Sequence, residues 1–361
     1  GGHARLTVTT GGKVTGSLLE RGKKFPITGQ LDVQPGGAGA SLTAPVKRAT
    51  GQSRVILKVP LFANLAALTG SLDEEGTAES TDLNGWQCPF SAKNKTTLTG
   101  LHNLALTGPG GLDSALAPDG DSFAVVTLGA TGSAKWAGVL ADGATFTAAH
   151  LLGRNAGAEA AQLHLHAPLY AGTGSVQGGA RVNDLPGAWD AVPGLEMDWR
   201  KLAQLKPARS YTNGFGPLAL DVQGARFVKA APGQRLTGLA PAMVLELRSG
   251  GLGANEFQCN AAISDKNIVT LGAVAGPPGT TQITGLKVAV AAASGRISGG
   301  FTLIENPGTP QQTKRAVKLA GIVVPVAGGG GAGHFTLAEN PGPGQKASAT
   351  PIRGGRVILR E

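Results

Sequence analysis

The chain has 361 residues, enough to bury a core without a metal or a disulfide, and a formal net charge of +9. Charged residues make up only 15% and aromatics 4%, and lysine and arginine come in scattered pairs (Lys23-Lys24, Lys47-Arg48, Arg200-Lys201, Lys314-Arg315), which argues against a base-stacking nucleic-acid groove. No run of 18 apolar residues provides a transmembrane helix, and two tyrosines with four tryptophans are too few for the girdles of a membrane barrel.

Fifty-seven glycines and 22 prolines would suit a disordered chain, yet 41% of residues are hydrophobic and fall in short alternating runs. The glycines therefore mark turns and close-packed strand positions, with residues 328–331 alone expected as a flexible loop. Gly1-Gly2-His3-Ala4-Arg5 leads straight into strand-like alternation at Leu6 and Val8 with no leader. If the protein is exported, the chain is expected to be a mature or excised segment of something longer.

In chain order, Leu6, Val8, Val14 and Leu18 predict a hairpin with a two-residue turn at Gly11-Gly12. Residues 12–31 then hold two alternating runs around Glu20-Arg21-Gly22-Lys23, and this hairpin is the repeating unit of the chain. Residues 55–61 follow, with Pro60 at a strand end, and then an acidic turn, Asp73-Glu74-Glu75-Gly76. A looser hairpin returns at residues 133–147, where Val139-Leu140, Gly143 and Phe146 keep the spacing of Leu18-Leu19, Gly22 and Phe25; a third occupies residues 295–319. Residues 196–205, with Met197, Lys201 and Leu205 on one face, are the single place where helix is expected, at most a turn or two or else only a loop. Residues 356–361 form a last strand.

Longer repeats overlie the hairpins. Ala167-Pro168-Leu169-Tyr170 matches Val59-Pro60-Leu61-Phe62, Thr173-Gly174-Ser175-Val176 matches Thr69-Gly70-Ser71-Leu72, and the segment ending at Trp189 matches the one ending at Trp86. That order predicts a module of about 110–130 residues. Within a third copy, residues 301–308 (FTLIENPG) return as residues 335–342 (FTLAENPG), where Pro fixes φ and Gly permits a positive one. The expected fold is all-β: antiparallel hairpin repeats in large or tandem β-barrel or sandwich modules, with about 25–30 strands. The modules fall at 1–107, 108–225 and 226–361, with adjoining sheets.

The Gly-Ser-Leu hairpins, the residues Trp199, Lys206-Pro207, Tyr211 and Gly214-Phe215, and the closing series Phe301-Thr302-Leu303, Arg315-Ala316-Val317, Gly333-His334-Phe335 and Gly355-Arg356-Val357 carry a resemblance. From about residue 128 onward the chain resembles glycine-rich β-repeat regions of very large exported proteins of environmental bacteria. The resemblance implies an extracellular or cell-surface repeat region at the end of a longer precursor. It implies no chemistry.

Candidate chemistry is sparse. His164 and His166 share one face of a strand, a spacing that zinc or copper could use, but no third ligand is linked to them in sequence, and outward-facing polar residues are expected. Asp73-Glu74-Glu75 with Glu79 and Asp82, and Asp113 with Asp119 and Asp121, could hold calcium but lack the ligand spacing of known calcium loops. Trp86 and Trp189 occupy equivalent repeat positions, which favours core roles over sugar stacking. No nucleophile elbow or phosphate loop is present, so no catalytic residue, no cofactor and no enzyme is expected. Cys88 and Cys259 sit in similar contexts (Trp86-Gln87-Cys88, Phe257-Gln258-Cys259) and are open to two readings: one disulfide closing a long loop, or two separate buried thiols.

The expected function is a secreted or cell-surface structural protein that assembles into a filament, sheath or matrix, pairing copies through the terminal strands at residues 6–9 and 357–360. The rival is a module binding an anionic glycan or other extracellular polymer through the basic excess.

Overall fold

A computed structural model describes residues 2–33, 39–48, 52–60, 68–74, 77–154, 160–183, 188–191, 196–206, 208–252, 256–276, 281–326, 328–342 and 345–361. These form 26 strands, all paired antiparallel, with two single turns of 3-10 helix.

The first eight strands make a three-stranded and a five-stranded sheet. They are β1 (Gly2–Val8), β2 (Lys13–Glu20), β3 (Lys23–Gln30), β4 (Asp32–Val33), β5 (Gly39–Lys47), β6 (Gln52–Pro60), β7 (Leu68–Glu74) and β8 (Ser80–Gly85). Strand β3 lies against β5, and a single core containing Val14, Leu18, Ile27, Leu42, Val46 and Val55 joins the two sheets into one meander. Period-two patterning drives it: along β5, Ala40, Leu42, Ala44 and Val46 are buried while the intervening residues are not. Between β2 and β3, Glu20 faces Lys23 across Arg21-Gly22, whose φ angles of 47° and 75° are those of a type I′ turn. The β1–β2 turn is longer than predicted. The Gly12 N–H donates to the Thr9 carbonyl and the Thr9 N–H to the Lys13 carbonyl, leaving three loop residues with Gly12 left-handed at φ 77°.

The second group is β9 (Gly100–Thr107), β10 (Ser122–Leu128), β11 (Ser133–Val139), β12 (Thr145–Leu151), β13 (Gly153–Arg154), β14 (Ala160–Leu169), β15 (Gly174–Asn183), β16 (Trp189–Ala191), β17 (Met197–Lys201) and β18 (Phe215–Arg226). They form a ten-stranded sheet ordered β12-β11-β10-β9-β18-β16-β15-β14-β13, with β17 bridging β15 and β18. Strand β12 lies against β14, curling the sheet into a barrel around Trp136, Trp189, Trp199, Leu104, Leu106 and Leu163.

The third group is β19 (Ala242–Ser249), β20 (Phe257–Ile263), β21 (Val269–Leu271), β22 (Thr281–Val290), β23 (Arg296–Glu305), β24 (Thr313–Val323), β25 (Gly331–Ala338) and β26 (Ile352–Arg360). Its order is β21-β20-β19-β26-β25-β24-β23-β22, and β21 meets β22, so the eight strands nearly close around Phe301, Phe335, Leu303 and Leu359. The breaks between sheets fall after β8 and after β18, so β9 belongs with the ten-stranded barrel rather than with the strands before it.

Several expectations are corrected. The stretch expected to be helical is strand β17, in which Met197, Trp199 and Lys201 are buried and Asp198 and Arg200 are half-buried, a period of two. The predicted flexible loop at residues 328–331 is a tightly bonded turn. Gly329 N–H donates to Val326, Gly330 N–H to Gly238, and the Gly330 carbonyl accepts from Val324, while Gly331 already belongs to β25. Strand β26 is paired on both sides, by β19 and β25, so residues 357–360 offer no edge to another copy; among the described residues β1 pairs with β2 alone and lies at an edge of its sheet. The repeat matches keep strand order (β6-β7-β8 against β14-β15-β16) but not register. Thr69-Gly70 faces Leu83-Asn84 of β8, whereas Trp189 of β16 pairs with Val182, and Trp86 follows β8 outside any strand. Among the described residues, no helix is long and apolar enough to cross a membrane.

Candidate functional site

Chemistry-bearing residues gather where the units meet, because a polar side chain on one curved sheet is desolvated when a second sheet closes over it and must then find a partner. Between the two barrels the seam is dense with such partners. Asn103, fully buried on β9, donates from Nδ2 to the carbonyls of Ser294 (2.9 Å) and Val323 (3.2 Å). The loop after β9 supplies Asp119 and Asp121, both buried. Asp119 accepts from Ser249 Oγ (2.6 Å), and its carbonyl accepts from Arg356 Nε (3.2 Å). Asp121 lies 3.4 Å from Arg356 Nε, and its carbonyl accepts from His334 Nδ1–H (3.0 Å). Burial raises the Asp121 carboxyl to about 6 against the opposing pull of Arg356. The Tyr211 hydroxyl accepts from the Gly354 N–H (2.8 Å), and Arg209 Nε donates to the Thr350 carbonyl (3.0 Å). A small apolar patch of Ala105, Phe123, Ile322 and Val324 seals the middle.

At one end of this seam opens a cleft of about 470 Å³, and the duplicated FTL-x-ENPG motif builds its wall. Leu303 on β23 faces Arg315 on β24, and Leu337 on β25 faces Arg353 on β26, so the two copies occupy like places in successive hairpins. In each, the motif's glutamate pairs with the arginine of the next strand: Glu305 with Arg315 (2.7 Å) and Glu339 with Arg353. Asn340 donates across to Glu305, and Arg315 also reaches the Ala338 carbonyl. The second barrel contributes Leu112, Asp113 and Ser114 to the opposite wall. The cleft thus presents alternating charges already neutralised in pairs.

A third polar group lies inside the ten-stranded barrel's rim. Tyr170 donates its hydroxyl to Asp142 Oδ2 (2.7 Å) and accepts from Trp199 Nε1–H (3.1 Å). Lys201, 5% exposed, sits over the Tyr170 ring (4.5 Å) and donates to the Ser210 carbonyl (2.5 Å). Burial lowers the Lys201 ammonium against Asp142, while burial and then Asp142 push the Tyr170 phenol far above its ordinary range. Tyr170, Ala171 and Tyr211 all hold positive φ (52°, 56° and 49°), costly for side-chain-bearing residues and sustained here by the surrounding bonds. Together these contacts fasten the segment after β17 to the barrel wall.

The residues singled out from the sequence fall as follows. His164 and His166 are not outward-facing: the N-terminal meander covers them, Trp86 stacks on His164 (centroids 4.3 Å apart, planes at 11°), and His166 is buried beside His150. Among the described residues no group of three or more His, Cys, Asp or Glu is arranged to hold a metal ion. Asp73 accepts from Ser80 (2.8 Å) and Glu74 from Arg48 (2.8 Å), Glu79 and Asp82 are exposed, and Glu75 lies outside the described residues. Asp113 caps its own turn by accepting from Ala115 N–H (2.9 Å). Cys88 and Cys259 are not bonded to each other. Cys88 follows β8 in a loop near Phe90 and Thr131, while Cys259 is buried in the core of the third group, where burial raises its thiol. Sequence reasoning missed His3, His102, Asn103, His150 and Lys201. The detectable signal was polar residues inside otherwise apolar runs, as in residues 101–107 (LHNLALT). No known protein family matches the chain, and neither a curated protein nor a solved structure matches it.

Proposed function

We propose that this chain is a structural segment of a secreted or cell-surface protein, a stiff body of β-barrels that transmits position and load rather than turning over a substrate. The observation that supports this reading is the barrel–barrel seam. Buried Asn103, Asp119, Asp121, His334 and Tyr211 and half-buried Arg356 each take part in a hydrogen bond that crosses the junction. Relative motion is the default between domains unless their interface is extensively apolar, and here the bonds flank the apolar patch of Ala105, Phe123, Ile322 and Val324. The charged cleft favours this over polymer binding, since both of its arginines are held by carboxylates instead of facing outward as a bare basic groove. Self-association belongs to the edge of β1, the terminal strand that keeps unpaired backbone groups.

Immunogold labelling of cells that make the protein, together with negative-stain microscopy of the purified chain, tests the proposal. Label on the outer envelope and elongated particles that join end to end are expected. Label confined to the cell interior would overturn it.

A further inference from the structure

Four histidines on three strands converge where the N-terminal meander lies on the ten-stranded barrel. His3 of β1 stands edge-on to His150 of β12 (centroids 4.4 Å apart, 82° between planes), and His164 and His166 of β14 complete the group, with Trp86 stacked on His164. The hydrogen bonds dictate where the protons sit. The backbone N–H of His166 donates to His150 Nε2 (3.2 Å), so that nitrogen must keep its lone pair. The neutral ring of His150 therefore carries its proton on Nδ1, which lies 3.3 Å from His3 Nε2 and donates to it. His3 Nε2 must in turn be bare. The chain of bonds from β14 through β12 to β1 exists only while both imidazoles are neutral. A proton added to His150 Nε2 or to His3 Nε2 would face another donor.

The surroundings oppose those protons further. The Arg5 guanidinium, of the same sign as an imidazolium, acts on His3 and His150, and the neighbouring His164 and His166 oppose a charge on them as well. From the neighbouring elements, His164 is met by backbone groups of Gly178 on β15 and Asn84 on β8. Burial, followed by the other histidines, holds His3 at about 3 and His150 at about 4, and burial lowers His164 as well.

We propose that this histidine seam is an acid-released latch, docking the N-terminal meander on the barrel at neutral pH and letting it go when His3 and His150 take up protons. The sign follows from linkage. Undocked, the two histidines regain an ordinary pKa of about 6.5, so below that pH the released form binds more protons and docking weakens as pH falls toward 4. At pH 4.5 the loss is roughly a hundredfold in the docking equilibrium per histidine.

Hydrogen exchange on the whole chain at pH 7.5 and 4.5, corrected for intrinsic rates, reads the latch directly. Amides of β1 and β12 are expected to lose protection reversibly at pH 4.5 while those of β23–β26 keep theirs. The loss should disappear in the double variant His3→Gln, His150→Gln, whose residue 150 can still accept from His166 N–H but cannot titrate. Unchanged protection in the wild type, or equal loss in the variant, overturns the proposal. Should the variant fail to dock even at pH 7.5, ring titration of the wild type by NMR decides. Midpoints of His3 and His150 below about 5, coincident with loosening of β1, support the latch, and midpoints near 6.5 with β1 unmoved overturn it.

Discussion

Trp189 packs edge-on against Trp136 in the core of the ten-stranded barrel while its Nε1–H donates to Nδ1 of His102 (3.0 Å). His102 then donates from Nε2 to the Leu98 carbonyl (2.9 Å), so one indole fixes the tautomer of a fully buried imidazole. Trp189→Phe keeps most of the apolar contact but orphans that nitrogen, and about 1–3 kcal/mol of stability should be lost in urea unfolding. An unchanged midpoint would show the bond to be idle. Trp86 looked equivalent to Trp189 in sequence, yet it lies at a seam, where Gly153 makes room for it: a Cβ on Gly153 would overlap the Cδ1 edge of the indole. Gly153→Ala should therefore unseat Trp86 from His164, read as a red-shifted fluorescence component at neutral pH. That difference was not legible in the repeat spacing, because what covers Trp86 comes from a different sheet.

At the scale of the element, alternation and turn chemistry made the hairpins readable. Arg21-Gly22 and Gly143 stand where expected, with Gly143 at φ 85° in the β11–β12 turn. The one helix expectation failed because Met197, Lys201 and Leu205 are also four apart, and a five-residue strand cannot be told from a helix turn by periodicity alone. Burying Lys201 runs against its usual preference for water, and the groups that make it tolerable come from elsewhere in the chain: the Tyr170 ring from before β15 and the Ser210 carbonyl from the loop after β17. The duplicated ENPG motif was legible as a turn, but its pairing with the next strand's arginine was not. Arg315 is buried more deeply than Arg353 and reaches Glu305 and the Ala338 carbonyl together. Arg315→Met should thus cost about 1–3 kcal/mol in thermal or urea unfolding, with Arg353→Met costing less. The reverse ranking would mean that depth of burial does not set the strength of these two pairs.

At the scale of the whole molecule, the central claim is that the two barrels behave as one body. Asn103→Ala removes the side chain that bonds β9 to Ser294 and Val323, and it should cost about 1–3 kcal/mol while loosening the barrels from each other. The tryptophans supply a probe confined to one side of the junction, since Trp136, Trp189 and Trp199 all lie in the ten-stranded barrel. Cys259, buried in the eight-stranded one, supplies the other through its reactivity with thiol reagents. Urea unfolding of a Cys88→Ser chain, followed by tryptophan fluorescence and by Cys259 labelling in the same samples, is the most direct measurement. Coincident midpoints and slopes are predicted; two separated transitions, with one barrel opening while the other stays folded, would contradict the account.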